Sequence, residues 1–247
     1  MSRSRMAFQQ KVMPETAALR RWRPALCLNL HGGTRSAWLA AASGARYRAG
    51  FAHFRFGFLY NLRIPRAQEI LGAERTVHTA EHLASAMFWL GAPAGEIPRA
   101  RLGGEGVPHQ PIAVIHAVAA APAKTWRADG FLAVAEHVRA GGLEPVFIGA
   151  AEDDLTPFAA YRTLGGAPLG EVRRLLASAA LFVGNDSGPA HMAAALGLPV
   201  VVIFGASDPA IWGPWRTASE VVTAPGGIAQ VSTAQVLEAL ARLRVHA

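Results

Sequence analysis

From residue 111 onward, the chain alternates short apolar runs with segments of helical periodicity. The apolar runs predict strands at 111–117, 144–150, 181–185 and 199–205. The segments between them predict helices at 126–142, 168–179 and 187–197. Strands that are apolar along their whole length are buried on both faces, as in a parallel sheet covered by helices. The pattern therefore predicts an α/β fold with a doubly wound parallel sheet.

The first hundred residues are less regular. They predict a strand and turn at 24–33, a short helix at 35–43 and a longer helix at 77–93. The following stretch "GAPAGEIPRARLGGEGVPHQP" is rich in Gly and Pro, which is typical of a linker. We therefore expect three parts: a small α/β domain at 1–95, a linker at 96–110 and a second domain at 111–247.

Composition and charge narrow the class of protein. With 51% hydrophobic and 17% charged residues, the chain is typical of a globular protein with a sizeable core. The net charge is +7, and the only lysines are Lys11 and Lys124. Because the arginines are scattered and no basic run reaches five residues, a nucleic-acid partner is not expected. The positive net charge is compatible with other anionic partners, such as sugar nucleotides, phosphorylated glycolipids or a lipid surface.

The sequence predicts no membrane helix, no signal peptide, no metal site and no cofactor. No apolar run approaches the roughly 18 to 20 residues of a membrane helix, and the first residues lack the apolar centre of a signal peptide, which predicts a cytoplasmic protein. Cys27 is the single cysteine and is expected in the core. The sequence has no D-x-D pair and no His/Cys cluster with metal-ligand spacing, so we predict neither a metal nor a cofactor.

The stretch "FVGNDSGPAHMAAALGLPVVVIFG" places polar residues between two predicted buried strands. Asp186 or Ser187 can cap the next helix, and Pro189 suits its first turn. Gly188 allows a ligand to approach the backbone, and the free N–H groups there favour an anion such as a diphosphate. His191 lies on the same helix face as Ser187. The alternative interpretation is a plain helix cap with a structural histidine.

The segment "NDSGPAHMAAALGLPVVVIFGASDP" resembles the signature of glycosyltransferase family 9, the ADP-heptose:lipopolysaccharide heptosyltransferases. The segment "HAVAAAPAKTWRADGF" at 116–131 resembles the family's strand-end histidine and phosphate-contacting lysine. The segment at 28–51 resembles the end of the family's N-terminal domain. The resemblance extends over roughly residues 20–245.

The resemblance implies a GT-B fold, in which two Rossmann-like parallel-sheet domains face each other across a cleft. It also implies six donor-binding residues: Lys124, Glu152, Asp186, Ser187, Gly188 and His191. Lys124 would neutralise phosphate charge, although a solvated loop lysine is the alternative. Glu152 would bind the ribose, and the other four residues would hold the donor diphosphate and sugar.

The resemblance further implies the reaction and the partners. It implies an inverting, metal-independent transfer of a sugar, with heptose from ADP-heptose as the first candidate. The acceptor would be a lipopolysaccharide core or a related glycolipid at the inner membrane surface. We therefore expect a cytoplasmic glycosyltransferase, peripheral to that membrane, which binds no nucleic acid.

The sequence departs from the family at its beginning. The family opens with a strand and a Gly-Asp turn whose Asp acts as general base, and this sequence contains no Gly-Asp dipeptide. We therefore expect an incomplete N-terminal domain, from a gene fragment, a misassigned start or a protein that lacks its base. No catalytic residue is assigned. His31 is the best placed candidate for a base, and a turn histidine is the favoured alternative.

Three rival functions follow from these observations. The first is a truncated, inactive module that binds a nucleotide sugar without turnover, which the missing Gly-Asp turn favours. The second is another GT-B enzyme such as a sugar-nucleotide epimerase, against which the "DSGPAH" spacing argues. Nucleic-acid binding is the third and the least supported.

Overall fold

A computed structural model describes residues 15–103 and 108–243. The chain divides into two compact units, Met1–Ile97 (unit 1) and Pro98–Ala247 (unit 2). The boundary between them falls inside the predicted linker. The predicted domains and linker also include residues outside the described ranges, namely 1–14, 104–107 and 244–247.

Unit 1 contains a small parallel sheet. Its strands are β1 (Leu26–Asn29), β2 (Tyr47–Phe51) and β3 (Leu62–Ile64), paired in that order. Its helices are α1 (residues 15–21), α2 (Thr34–Ala42), α3 (Ala67–Leu71) and α4 (Thr79–Trp89). The predictions for β1, α2 and α4 are confirmed. The strands β2 and β3 were not predicted, because each is short and carries a polar residue.

Local chemistry fixes where the helices of unit 1 begin and end. At the start of α4, the ring nitrogen Nδ1 of His78 accepts a hydrogen bond from the Ala80 N–H at 3.1 Å. The Glu81 carboxylate accepts one from the His78 N–H at 3.0 Å, which completes a capping box. Helix α3 ends at Gly72, whose φ of 61° lies in the left-handed region. Phe51, Ile64 and Ala86 are fully buried where α4 covers the sheet.

Unit 2 contains a parallel sheet of six strands. They are β4 (Ile112–His116), β5 (Glu144–Gly149), β6 (Arg162–Gly165), β7 (Leu181–Asn185), β8 (Val200–Ile203) and β9 (Ser219–Val222). The helices of this unit are α5 (Ala128–Ala140), α6 (Leu169–Ser178), α7 (Gly188–Leu196), α8 (Pro209–Trp212) and α9 (Thr233–Leu243). All neighbouring strands are parallel, in the order β6, β5, β4, β7, β8, β9.

The predicted strands and helices of unit 2 are confirmed as β4, β5, β7 and β8 and as α5, α6 and α7. Successive residues of these strands face two separate cores. In β4, Ile115 packs on the side that contains Val134 of α5, whereas Val114 packs on the side that contains Leu176 of α6 and Ala193 of α7. Burial on both faces explains the uninterrupted apolar runs in the sequence.

The edge strands β6 and β9 and the helix α9 were not predicted. In β6 the burial pattern is mostly exposed, and its sequence "RTLG" has no apolar run. In the described part of the chain, none of the helices combines the length and apolar character needed to cross a membrane.

Candidate functional site

The order in which the chain adds strands to the sheet of unit 2 reverses between β4 and β7. From β4 the chain builds β5 and β6 on one side, and it then returns to place β7, β8 and β9 on the other. In open α/β sheets, the loops at such a reversal separate and leave a crevice at the carboxyl ends of the strands. His116 is the last residue of β4, and Asn185 is the last residue of β7.

A cavity of about 450 Å³ opens at this crevice. This volume is within the usual range for a site that holds a small molecule. Five of the six predicted donor-binding residues line it: Lys124, Glu152, Asp186, Ser187 and Gly188. The fold thus brings together side chains from the ends of β4, β5 and β7 that are up to 64 positions apart in the sequence.

Lys124 and Asp186 form an ion pair in this cavity. The Nζ atom of Lys124 lies 2.9 Å from Oδ2 of Asp186. The Asp186 side chain is 8% exposed, whereas the Lys124 side chain is 37% exposed. His191 is outside the cavity lining, and its Nε2 lies 3.8 Å from Oδ1 of Asp186. The ammonium group therefore faces both a nearly buried carboxylate and the open cavity.

Close packing of backbone segments holds Lys124 at this position. Lys124 ends a 3₁₀ turn, Pro122–Lys124, and a Cβ at Gly205 would overlap the carbonyl oxygen of Ala123 in that turn. On the other side, the Trp126 N–H donates to Oδ1 of Asn185 at 2.9 Å. A glycine after β8 and a buried amide at the end of β7 thus fix the loop that carries the lysine.

Helix α7 begins at the edge of the cavity. Ser187 is its N-cap residue, which is one of the two positions predicted; its backbone is extended, and its side chain makes no cap hydrogen bond. The Asp186 carboxylate is directed to Lys124 instead. Pro189 lies in the first turn, as predicted. A Cβ at Gly188 would meet nothing within 4 Å, which leaves the N-terminal end of the helix accessible.

Two buried polar atoms in the cavity wall have no hydrogen-bond partner in the described structure. They are Nδ1 of His116 and Oγ of Ser187. His116 is 8% exposed. Burial lowers the pKa of His116, and the nearby Asp153 carboxylate partly offsets this effect. Because unpaired buried polar groups cost free energy, such atoms mark places where a ligand can supply the missing partner.

The end of β5 contributes two acidic residues. Glu152 and Asp153 both line the cavity. Oδ2 of Asp153 accepts a hydrogen bond from the Ala150 N–H at 2.7 Å, which fixes the turn, whereas Glu152 is exposed. Within the described residues, no group of three or more His, Cys, Asp or Glu side chains could hold a metal ion.

Sequence reasoning did not assign His116, Asp153 and Asn185 to the site. The signal available for His116 and Asn185 was a polar residue that ends an otherwise apolar run. Asn185 is fully buried and also donates from Nδ2 to the Ala117 carbonyl at 2.9 Å, so it links the ends of β4 and β7. In unit 1, Nδ1 of His31 accepts from the Gly33 N–H at 3.2 Å, which is the bond of a turn histidine.

Comparisons with known proteins agree with this geometry. The family model "Glycosyltransferase family 9 (heptosyltransferase)" matches residues 16–238. Lipopolysaccharide heptosyltransferase 3 of Escherichia coli is 36% identical over 105 residues, which cover 37% of this chain and 30% of that protein. The chain therefore matches less than a third of the length of this curated relative.

Solved structures show the same fold. The crystal structure of the glycosyl transferase family 9 from Veillonella parvula DSM 2008 has a TM-score of 0.73 at 20% identity, over 94% of this chain and 78% of that chain. E. coli heptosyltransferase WaaC with ADP has a TM-score of 0.77 at 19% identity, over 95% and 78%. These likenesses confirm the predicted α/β fold with parallel sheets, similar to GT-B structures. Because the family model matches most of its length, the chain belongs to glycosyltransferase family 9.

Proposed function

We propose that this protein transfers a sugar from a nucleoside-diphosphate donor to an acceptor hydroxyl, with heptose from ADP-heptose as the donor. The acceptor in this proposal is a lipopolysaccharide core or a related glycolipid. Family membership and the curated heptosyltransferase relative support the reaction class. The observation that carries the proposal is the Lys124–Asp186 pair beside the open start of α7, inside a cavity of about 450 Å³.

The donor diphosphate is assigned to Lys124 and the start of α7. Among the described residues, Lys124 presents the one ammonium group that lines the cavity, and it is partly exposed. The first turn of α7 adds backbone N–H groups and the positive end of the helix dipole. The unpaired Oγ of Ser187 can donate a further hydrogen bond to a phosphate oxygen.

Asp186 is assigned to the donor sugar rather than to the diphosphate. A carboxylate repels phosphate, but it accepts hydrogen bonds well from sugar hydroxyls. Its 2.9 Å contact with Lys124 also holds the ammonium group at the point where the diphosphate and the sugar meet. His191, whose Nε2 lies 3.8 Å from Asp186, is placed to contact the same part of the donor.

The nucleoside is assigned to the end of β5. Carboxylates there can accept hydrogen bonds from both ribose hydroxyls. Glu152 is exposed and lines the cavity, whereas Asp153 is already used by the Ala150 N–H. Glu152 is therefore the ribose ligand in this proposal, and Asp153 shapes the turn that presents it.

The reaction in this proposal is a direct displacement with inversion. The acceptor oxygen bonds to the anomeric carbon while the bond from that carbon to the diphosphate oxygen breaks. The electron pair leaves on the diphosphate, where Lys124 and the start of α7 stabilise the developing charge. These groups supply positive charge without a metal. The acceptor proton passes to a base, to which we assign no residue.

The setting of the reaction follows from the acceptor. A glycolipid acceptor lies in a membrane, so we propose that the protein works at the cytoplasmic face of the inner membrane and binds there peripherally. The positive net charge of +7 favours such a surface, because inner leaflets carry anionic lipids.

Calorimetric titration with ADP and ADP-heptose tests the donor site. We expect Lys124→Ala to weaken both by about tenfold or more, since a charge-assisted hydrogen bond contributes about 1.5 to 3 kcal/mol. Arg139→Gln is the matched control, because it removes one positive charge from the exposed face of α5. Equal binding by Lys124→Ala and the unmodified chain would place the diphosphate elsewhere.

A second candidate function is donor binding without turnover. The cavity with its Lys124–Asp186 pair favours it, because these residues can bind a donor without a catalytic base, and we assign no residue as that base. The two functions are separated by adding a deacylated lipopolysaccharide core acceptor to ADP-heptose and measuring ADP release. Acceptor-dependent release supports transfer, whereas tight donor binding with no release supports the binding module.

A further inference from the structure

A second group of ionisable side chains lies at the carboxyl edge of the small sheet of unit 1. His53 follows β2 by two residues, and Arg66 follows β3 by two residues. These strands are paired, with Phe51 opposite Ile64 at their ends. The ends of the two strands therefore place His53 and Arg66 next to each other, on the side of the sheet where α/β folds bind ligands.

Helix α4 adds a second histidine to this edge. The ring of His82 stacks on Phe51, with centroids 3.9 Å apart and an interplanar angle of 23°. The rings of His53 and His82 are 5.7 Å apart at 65°. Phe51 itself is fully buried, so it forms a fixed apolar base beneath both histidines. The three side chains of His53, Arg66 and His82 are called the His-Arg cluster below.

The His-Arg cluster has an excess of potential positive charge. Burial lowers the pKa of both histidines, and the charge of Arg66 lowers the pKa of His53 further. His53 in turn lowers the pKa of His82. Among the described residues, none of the three side chains is in an ion pair or a hydrogen bond. His53 and Arg66 are exposed and His82 is half-buried, so the cluster is open to solvent.

The acids on the neighbouring elements are directed elsewhere. Glu81, next to His82 on α4, is bound by two nitrogens of Arg75 at 2.5 and 2.8 Å. It also accepts from the His78 N–H. Glu69 on α3 is exposed and does not affect the pKa of either histidine. Among the described residues, neither of these acids forms an ion pair with the cluster.

We propose that the His-Arg cluster is a binding site for a doubly charged oxyanion, namely the phosphate group of a phosphorylated sugar. The guanidinium of Arg66 provides a planar fork of donors for two oxygens. Each protonated imidazole adds one N–H donor, and charge-assisted bonds of this kind are the strongest that side chains make to phosphate. The stack on Phe51 holds the ring of His82 in place before the anion binds.

This site has a defined pH dependence. An anion favours the protonated histidines, so its binding raises the pKa of both rings. Both histidines have a lowered pKa in the free protein, so affinity should rise as the pH falls through and below 6.5, the ordinary histidine value. The site depends on unit 1 alone and is independent of the donor cavity. The phosphate that binds here would belong to the acceptor of the proposed reaction only if that acceptor is phosphorylated. This assignment to the acceptor rests on the proposed function.

Histidine-ring NMR of the full 247-residue chain tests this proposal, with sulfate, inorganic phosphate and glucose 6-phosphate as probes. Sulfate keeps its double charge across this pH range, so any pH dependence of its binding reports on the protein. We expect saturable shifts of the His53 and His82 signals, a raised pKa for both, and tighter sulfate binding at lower pH.

Matched variants separate the anion site from a purely structural cluster. We expect Arg66→Gln to weaken sulfate binding by about tenfold, as for the loss of one charged hydrogen bond. His82→Phe keeps a ring against Phe51 and should reduce the pH dependence without unfolding unit 1. Arg63→Gln, an exposed arginine on β3, should change neither property. Lys124→Ala should leave the sulfate response intact, which separates this site from the donor cavity.

Two results would overturn the proposal. The first is the absence of saturable shifts at His53 and His82 with any of the three probes. The second is binding that is equal in Arg66→Gln, His82→Phe and the unmodified chain. Tighter binding of glucose 6-phosphate than of inorganic phosphate supports a sugar phosphate, whereas equal binding of the two would overturn that part and assign the site to the free ion.

Discussion

Lys124 and Asp186 meet across the point where the large sheet changes direction, with Nζ of the lysine 2.9 Å from Oδ2 of the aspartate. The lysine follows β4 and the aspartate follows β7, so the pair connects the two loops that bound the cavity. In the proposed donor complex, the diphosphate would share the ammonium group with the carboxylate. The pair would thus both position the ammonium group and compete with the proposed ligand for Lys124.

Asp186→Asn should therefore separate ADP binding from binding of the complete donor. Removing the carboxylate frees Lys124 and relieves repulsion of the diphosphate, so we expect ADP to bind about as well or up to tenfold more tightly. Binding of ADP-heptose should gain less or weaken, because the sugar loses an acceptor of its hydroxyl groups. Calorimetry with both ligands measures the difference.

Asp129→Asn is the control for this experiment. Asp129 is exposed on the first turn of α5 and pairs with Arg127 at 3.4 Å, so it also belongs to an ion pair but lies outside the cavity lining. It should leave both affinities unchanged. A large loss of ADP affinity in Asp186→Asn would contradict the assignment of the carboxylate to the sugar.

Asn185→Ala should strongly destabilise unit 2. Asn185 is fully buried and bonds both the Trp126 N–H and the Ala117 carbonyl, each at 2.9 Å. Its loss leaves two buried backbone groups without partners, at about 1 to 3 kcal/mol each. We expect a decrease of about 2 to 4 kcal/mol in the free energy of unfolding, measured by urea denaturation.

Asn61→Ala provides a matched comparison for Asn185→Ala. Asn61 also bonds two backbone groups, the Arg48 N–H at 2.7 Å and the Arg46 carbonyl at 2.8 Å, but it is exposed. Water can replace the lost side chain there, so we expect a cost of under about 1 kcal/mol. Equal losses in the two variants would show that burial does not determine the role of Asn185.

The buried elements of unit 2 could be predicted from sequence because their pattern depends on local composition. The strands β4, β5, β7 and β8 are covered on both faces, so their central positions are apolar and the run is visible. The edge strands are mostly exposed or half-buried. This applies to all four residues of β6 and to three of the four residues of β9. Their pairing partners are the preceding strands β5 and β8, so distance in sequence is not the reason; the sequences of β6 and β9 lack an apolar run because few of their residues are buried.

The residues of the candidate site that belong to the family signature could be predicted from the sequence. Contacts between residues that are distant in the sequence could not. Lys124, Asp186 and Gly188 line the cavity as expected. Of the two cap residues predicted, Ser187 occupies the N-cap position, whereas the Asp186 carboxylate binds a cation from a loop 62 positions away. This contact depends on the order of strands in the sheet, which the local sequence around Asp186 does not encode.

Gly205→Ala tests whether close backbone packing positions Lys124. The added Cβ would overlap the Ala123 carbonyl oxygen and approach Ile228, so the Pro122–Lys124 turn must shift. Overpacking of this kind costs about 1 to 3 kcal/mol, and we expect weaker ADP binding in addition. Gly95→Ala is the control, because a Cβ there meets nothing within 4 Å. Unchanged stability and affinity in Gly205→Ala would contradict this role.

Glu81 should give unit 1 a defined sensitivity to acid. The bidentate bond from Arg75 lowers the pKa of Glu81 from its ordinary value of 4.5 to about 2, with the His78 N–H contributing. A carboxylate with a depressed pKa stabilises the fold fully above about pH 4.5, and this contribution disappears as the pH falls toward 2. The midpoint of urea unfolding of unit 1 should therefore decrease over this range.

Glu81→Gln removes the titrating group and should flatten this part of the pH profile while lowering stability at neutral pH. Glu69→Gln, at an exposed position on α3, should leave the profile unchanged. An identical acid response in Glu81→Gln and the unmodified chain would assign the sensitivity to other carboxylates.

His116→Leu should stabilise unit 2 while weakening ligand binding. His116 is 8% exposed, and its unpaired Nδ1 costs free energy in the empty protein. Leucine has a similar size and no polar atom to desolvate, so we expect a gain of about 1 kcal/mol in the free energy of unfolding. The donor should bind more weakly, because leucine cannot form the hydrogen bond that we expect between the donor and Nδ1 of His116. A simple structural histidine would give neither result, and a loss of stability with unchanged ADP-heptose affinity would remove His116 from the site.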